Sequence, residues 1–445
     1  MTTSHGPSWS DVLESGDNVK LVRSLGFWAL TAYGVGDILG AGIYALVGKV
    51  AGLAGSGSWI SFLVAMGVAT LTGLTYAELG GRFPRSGGES YFCQQAFPWP
   101  WIAVLIGWLV FCSGTVSLAT VARAFGGYAQ ALLPQLADWA VVPGFLVILA
   151  VICFWGIRLS STTNIICTIV EASGLLLVIV VGLAFWGRNV GATIEASPSE
   201  PTPWYLIAEG AALAFFAFIG FEDMVNVSEE VKSPQRNVPA AILTATFLAG
   251  AIYVLVVFVA TLVVPADELS SSGAPLVHVV RRAAPWIPSW SFTMIALFAV
   301  ANTGLLNIVM ASRLVYGMAQ QQLLPNWLAS VHRKRRTPHW AILVILLVAV
   351  ILALSGTLAR LAGTTSTLLL VVFFTVNVSS IVLKRRDRQP VEGFRVPVAV
   401  PIIGAAASLA LMAFVEPAAM FSAGVLVFIG LGLGAARYAG IWRRK

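Results

Sequence analysis

The 445-residue chain is 58% hydrophobic and only 11% charged, with a mean hydropathy of +0.85 and a formal net charge of +7. Soluble domains run near 25% charged, so this composition excludes a soluble globular protein and puts the chain in a bilayer. Four cysteines with no C-x-x-C spacing and four scattered histidines offer no metal constellation, and no nucleophile elbow, phosphate loop or dinucleotide fingerprint occurs, so no catalytic residue, metal or cofactor is expected.

Residues 1–24 are polar, carry Asp11, Glu14, Asp17 and Lys20, and lack the short apolar core and small-residue site of a cleaved signal peptide. Twelve spans follow, at about 25–49, 57–79, 99–126, 139–157, 164–186, 206–229, 238–264, 289–317, 339–357, 364–384, 396–415 and 418–437, each near the ~20 residues that a helix needs to cross. The longest gap, 264–289, is too short for a soluble domain. With the N-terminus inside, 21 of the 27 Lys and Arg fall on the cytoplasmic side, and only Lys49, Arg123, Arg188, Arg281, Arg282 and Arg360 fall outside. That bias supports twelve spans with both termini in the cytoplasm, and a multi-pass protein of the plasma (inner) membrane is expected. It also accounts for the positive charge through anionic lipid heads, so the basic run at 332–336 is read as a loop and no nucleic acid is expected.

The first span contains Gly34-Val35-Gly36-Asp37-Ile38-Leu39-Gly40-Ala41-Gly42. Glycine weakens a helix by about 1 kcal/mol per interior position, and a mid-membrane aspartate costs roughly 2.5–3.5 kcal/mol. A segment holding both is expected to be an interrupted helix that exposes backbone to a ligand. Span six repeats the combination in Phe215-Phe216-Ala217-Phe218-Ile219-Gly220-Phe221-Glu222-Asp223. If each repeat has five helices, span six corresponds to span one and runs antiparallel to it, and the two broken centres meet near the midplane. Half-helix N–H ends would attract an anion and half-helix C=O ends a cation, which suits an amino acid. The alternative is that the glycines only permit close packing, as Gly36-x-x-x-Gly40 would.

The deep acids are Asp37, Glu171, Glu222 and Asp223, whereas Glu78 and Glu89, flanking the loop after span two, are expected at the interface. Asp37 either faces a positive group of the substrate or caps unwound backbone. Glu171 is either a carrier of protons or cations, since burial favours the neutral form of a carboxyl, or a neutral packed acid. Glu222 has an anchoring and a coupling role open to it. No lysine or arginine lies deep, so the pocket is negative and favours a cationic substrate, an amine or a cationic amino acid, with transport or exchange of a neutral amino acid as the alternative and a non-transporting membrane sensor as a further one.

Three motifs carry a family resemblance: GVGDILGAGIYALVGKVAGLAG at 34–55, AFFAFIGFEDMVNVSEEVKSPQRNVPAAI at 214–242, and ASRLVYGMAQQQLLPNWLA at 311–329. At these residues the chain resembles the amino acid–polyamine–organocation superfamily, and most nearly its cationic amino acid transporters and their bacterial relatives. The resemblance implies an all-α, LeuT-like membrane fold: an inverted repeat over 25–187 and 206–384 with helices one and six broken, two extra helices at 396–437, and a basic tail at 438–445. It implies a non-enzymatic transporter working by alternating access, with substrate between helices one and six and with helices three, eight and ten closing the pocket. On matching positions Ile38 to Gly42 supply backbone, Phe216, Ala217, Phe218 and Ile219 line the other side with Phe216 at a frequent gate position, and Glu222 matches a common acid.

The candidate substrate-binding residues are therefore Asp37, Ile38, Gly40, Ala41, Gly42, Phe216, Ala217, Phe218, Ile219, Glu222 and Asp223, with Glu171 and Glu222 as coupling residues. Two positions depart from the pattern. Relatives commonly carry a small or amide residue at Asp37. Many proton-coupled relatives carry a lysine seven residues after an asparagine in helix five, standing in for sodium, whereas here Asn164 leads to Glu171. The expected coupling ion is a proton carried by Glu171, with sodium held by Glu171 and first-helix carbonyls as the rival.

Overall fold

The structure, a computed structural model, describes residues 23, 25–85, 87–155, 161–189, 202–320, 324–335, 337–386 and 393–438, with backbone alone at 161–164 and 436–438. The N-terminal segment apart from Arg23, the basic tail from 439 onward, the Asn164 side chain, and Lys20, Arg158, Arg336 and Arg388 lie outside the described residues.

The helices in chain order are α1 (Phe27–Ile38), α2 (Ala41–Ala54), α3 (Ser58–Arg82), α4 (Gly88–Ala96), α5 (Pro100–Leu132), α6 (Asp138–Trp155), α7 (Ser161–Arg188), α8 (Trp204–Ala214), α9 (Asp223–Asn226), α10 (Pro234–Val263), α11 (Ala266–Ser271), α12 (Pro275–Ala283), α13 (Ser289–Gln320), α14 (His339–Ser355), α15 (Leu358–Arg386), α16 (Ala399–Met412) and α17 (Pro417–Tyr438). Among the described residues the only strand-like pairing is a bridge between Leu25 and Val231. Nine segments there are long and apolar enough to cross a membrane; one of them, Phe27–Arg82, holds two crossings, and α14 and α16 are shorter apolar helices. Each of the twelve expected spans thus has a helical counterpart.

The first crossing comprises α1 and α2, and the sixth comprises α8, a 3-10 turn at Phe215–Phe218, and α9. Both are interrupted where glycine and acid coincide, five crossings apart. They sit inside the bundle, with α10 packed on α3, α1 and α7, α13 on α5, and α15 on α5 and α16. The perimeter is apolar: Phe421 and Phe428 on α17 and Val180 on α7 are all more than 60% exposed, as lipid-facing side chains should be.

Exposed tryptophans fall at helix ends in two groups. Trp28, Trp99, Trp155, Trp327 and Trp340 lie at the ends assigned to the cytoplasmic side, and Trp139, Trp186, Trp204, Trp286 and Trp290 at the opposite ends. Amphipathic indoles gather at both membrane interfaces, so this pattern fits the crossing order.

Two loops hold more structure than hydropathy reveals. The 264–289 gap forms α11 and α12, which bury Leu269, Leu276, Val279 and Val280 and fasten to α2 through a Lys49 Nζ bond to the Ser270 carbonyl of 2.7 Å. The loop after α3 forms α4, whose Phe92 and Cys93 are buried. Glu78 and Glu89, expected at the interface, are both buried in protein, at 5% and 3% exposure. Glu78 is paired with Lys384 of α15 and accepts the Val396 N–H at 3.0 Å, while Lys384 also donates to the Val396 carbonyl at 2.8 Å. One buried ion pair therefore ties α3, α15 and the entry to α16.

Candidate functional site at two interrupted helices

Helix α1 ends when the Leu39 N–H bonds to the Val35 carbonyl at 2.8 Å, and Gly40 then leaves helical geometry at φ −65°, ψ −152°. The exposed ends are held from outside the segment. Ala41 N–H, the first of α2, donates to Thr303 Oγ1 of α13 at 2.9 Å. The Ile38 carbonyl, at the end of α1, accepts from the Tyr253 hydroxyl of α10. These side chains replace backbone partners that an unbroken helix would have supplied.

Span six breaks differently. After the 3-10 turn, Ile219 is extended at φ −66°, ψ 138°, and Gly220 takes φ +129°, where a side chain is strained. The Gly220 N–H is taken by Glu222 Oε2 at 2.8 Å. This is the bond that an anchoring role for Glu222 would make.

The two interruptions touch. A Cβ on Gly220 would lie 2.9 Å from the Asp37 carbonyl carbon and 3.1 Å from Ile38 N, and one on Gly42 would lie 2.5 Å from Ala217 Cα. Gly36 and Gly40 meet Thr168 and Thr303, so these glycines serve packing as well as interruption. Phe216 and Phe218 are buried, and the Phe218 ring packs edge-on to Tyr253 at 5.5 Å, while Ile219 is partly exposed.

The acids converge on this contact. Asp37 lies within electrostatic reach of Asp223, Glu222 and Glu171, and faces the Asp223 carboxyl. Its Oδ2 is shielded from solvent with no hydrogen-bond partner. Asp223 Oδ1 accepts from Asn226 at 3.3 Å. Glu171 is fully buried on α7: Oε1 accepts from Asn302 of α13 at 2.9 Å, and Oε2 has no partner. The Glu171 main-chain carbonyl accepts from the Tyr44 hydroxyl at 3.1 Å, and the Tyr44 carbonyl accepts from Tyr128 of α5 at 2.9 Å. Buried carboxyl oxygens without partners are costly.

Asp37, Ile38 and Gly42 thus meet Ala217, Gly220, Glu222 and Asp223 at one junction, Gly40 and Ala41 pack instead on Thr303 of α13, and Glu171 lies within electrostatic reach of Asp37. Thr303, Tyr253, Asn302 and Asn226 were missed from the sequence. Thr303, Tyr253 and Asn302 are distinguished only by their positions against distant helices, while Asn226 lies in the polar stretch that follows Glu222 and Asp223.

A sequence model of the amino acid permease family matches residues 25–431. Cationic amino acid transporter 4 of Mus musculus is 33% identical over 400 residues, 85% of this chain and 62% of that protein, so the chain spans less than two thirds of that relative. The branched-chain amino acid permease BcaP of Bacillus subtilis is 29% identical over 407 residues, 86% of this chain and 85% of that permease. An uncharacterized transporter of Mycobacterium bovis is 30% identical over 424 residues, 94% of this chain and 91% of that protein. With two interrupted helices meeting at a cluster of carboxyls and a family match over nearly its whole length, the chain belongs to the amino acid permease family.

Proposed function

We propose that the chain is a secondary active transporter that moves an amino acid or a related organic amine across the plasma membrane by alternating access, driven by protons. Residues 25–187 and 206–384 are its two inverted repeats, and both termini are cytoplasmic. The observation that carries this reading is the junction itself: two interrupted helices in backbone contact, beside an Asp37 oxygen that is buried and unpartnered.

In this arrangement the first-turn N–H groups of α2 beyond Ala41, whose own N–H is held by Thr303, meet a substrate carboxylate, and Asp37 with the carbonyl end of α1 meets its amine. The negative pocket favours a net cation, which a membrane potential would also drive inward by about 2.3 kcal/mol per charge at 100 mV, roughly 50-fold accumulation. Glu171, with one oxygen held by Asn302 and the other unbonded, carries the proton. A second reading, a neutral zwitterion, is favoured by the likeness to the branched-chain permease and requires Asp37 to be protonated when substrate binds.

Counterflow of labelled substrate in proteoliposomes tests transport. A thermal-shift screen of amino acids beside their decarboxylated amines tests substrate class. Asp37→Asn is expected to weaken a cationic ligand more than tenfold and leave the fold intact. Equal binding by Asp37→Asn, or a neutral zwitterion as the tightest ligand, would sink the charge argument and leave Asp37 as a backbone cap.

A further inference from the structure

Glu89 stands on α4, outside the spans, yet it is 3% exposed and its Oε1 has no hydrogen-bond partner. Beside it is the Tyr76 hydroxyl of α3, buried and in side-chain contact with Glu89. The Tyr76 ring is wedged between α4 and span six, edge-on to Phe92 at 6.2 Å and to Phe221 at 5.5 Å. At its other edge α4 approaches span six directly, for a Cβ on Gly88 would lie 2.6 Å from Asn226 Oδ1. Asn226 in turn holds Asp223, which faces Asp37. Tyr76 also lies within electrostatic reach of Glu222, and Glu89 within reach of Asp223. The carboxyls of the junction and the Tyr76–Glu89 pair therefore form one cluster, which extends to a loop helix whose neighbour Gly87 is exposed.

We propose that Glu89 is the inner terminus of a proton relay that begins at Asp37 and passes through Asp223 and the Tyr76 hydroxyl. This deepens the proton-driven reading above and rests on it. In one passage the O–H bond on Asp223 breaks as an O–H bond forms on the Tyr76 oxygen. The phenol's original O–H breaks as an O–H forms on Glu89 Oε1. Glu89 then releases that proton to water at the exposed loop. One proton moves: Asp223, Tyr76 and Glu89 regain their starting complement once Asp223 is refilled from Asp37, and Asp37 is refilled in turn by a proton entering from the opposite side of the membrane.

The groups around Glu89 suit a transit station better than a permanent ion pair. From α3 comes Tyr76, in electrostatic reach of Glu222 of span six, and from span six comes Asp223, in electrostatic reach of Glu89 itself. On its own helix Cys93 bonds to Ser379 of α15 at 3.5 Å. Arg386 of α15 donates to the Gln95 carbonyl at 3.1 Å, and α5 offers the Ala103 carbonyl to Ser90. Arg82 stacks over Phe83 at 4.7 Å, and that ring meets Tyr91. The carboxyl is thus set among acids and a phenol, with basic groups engaged at the rim of the helix.

The test uses full-length protein in proteoliposomes containing a pH-sensitive dye, with radiolabelled L-lysine as probe. Two readings are compared, accumulation driven by a pH gradient and counterflow at equal pH. Wild type is expected to show both. Glu89→Gln is expected to keep counterflow within about twofold but to lose at least tenfold of gradient-driven accumulation together with the dye signal, and Glu89→Asp to restore part of each. Tyr76→Phe, which deletes only the relay hydroxyl, is expected to lower proton-driven uptake in the same direction, and it carries the test should Glu89→Gln fail to fold. A Glu89→Gln protein with wild-type accumulation and proton flux overturns the relay and leaves the transporter reading standing. So does a folded variant that loses counterflow as severely as accumulation. Wild-type vesicles that ignore the pH gradient overturn the proton reading itself, and the relay with it.

Discussion

Gly220→Ala is the sharpest perturbation of the junction. The residue sits at φ +129°, and the three atoms nearest an added methyl are main-chain: the Asp37 carbonyl carbon at 2.9 Å, its oxygen at 3.0 Å and Ile38 N at 3.1 Å. Forcing a side chain into such a backbone region costs about 1–3 kcal/mol. Overpacking against atoms that cannot rotate away adds typically ~1–3 kcal/mol. Together this is about 2–6 kcal/mol, relieved only by moving the two interruptions apart. Gly55→Ala supplies the control. Gly55 also has a positive φ, +53°, but a Cβ there would meet nothing within 4 Å, so only the left-handed backbone term applies, roughly 1–2 kcal/mol. Melting temperature in detergent and counterflow in proteoliposomes should both separate the pair. Gly220→Ala should melt lower and lose at least tenfold in apparent substrate affinity, while Gly55→Ala stays within about threefold of wild type, tenfold being about 1.4 kcal/mol. If the two variants behave alike in both assays, contact between the interruptions does not hold the site, and the reasoning from geometry to function fails.

Three more outcomes are expected. Glu171→Gln should abolish the pH dependence of uptake, and transport that requires sodium and ignores pH would contradict it. Removing one partner of the buried Glu78–Lys384 pair, as in Glu78→Ala, should destabilise by about 3–5 kcal/mol, whereas Glu78→Leu combined with Lys384→Met should recover most of that loss in thermal melts. Thr303→Val leaves the Ala41 N–H without its acceptor and should cost about 1–3 kcal/mol; the drop in melting temperature should be larger for Thr303→Val than for Thr303→Ser, which keeps the hydroxyl.

The interrupted helices were legible in the sequence because glycine and aspartate stand out against an apolar span, and because the same pair recurs five crossings later. What holds the breaks open was not. Thr303 reaches Ala41 across 262 residues and Asn302 reaches Glu171 across 131, so neither leaves a local pattern. Glu78 and Glu89 show the sharper limit. Hydropathy along a chain reports depth along the membrane normal, and both residues fall near a helix end by that measure. It carries no information on lateral burial, which places Glu78 against Lys384 and Glu89 behind Tyr76. Helix α4 was hidden for a related reason: its 9 residues are too few for a crossing, and it opens on two glycines of positive φ.

The pairing of Leu25 with Val231 has a mechanical consequence. The Leu25 N–H bonds to the Glu230 carbonyl at 3.0 Å, and the Lys232 N–H bonds to the Leu25 carbonyl at 2.8 Å. These two bonds join the approach to α1 to the strip of chain just after α9, so α1 and α9 are yoked at their outlying ends as well as at Gly220. A swing of α1 away from the bundle has two courses. It can break the yoke, at about 0.5–1.5 kcal/mol net per bond, or it can carry α9 with it as a single lever. The second course costs no hydrogen bond at the yoke, and it makes residues 25–38 and 223–232 one moving part hinged at Gly40 and Gly220.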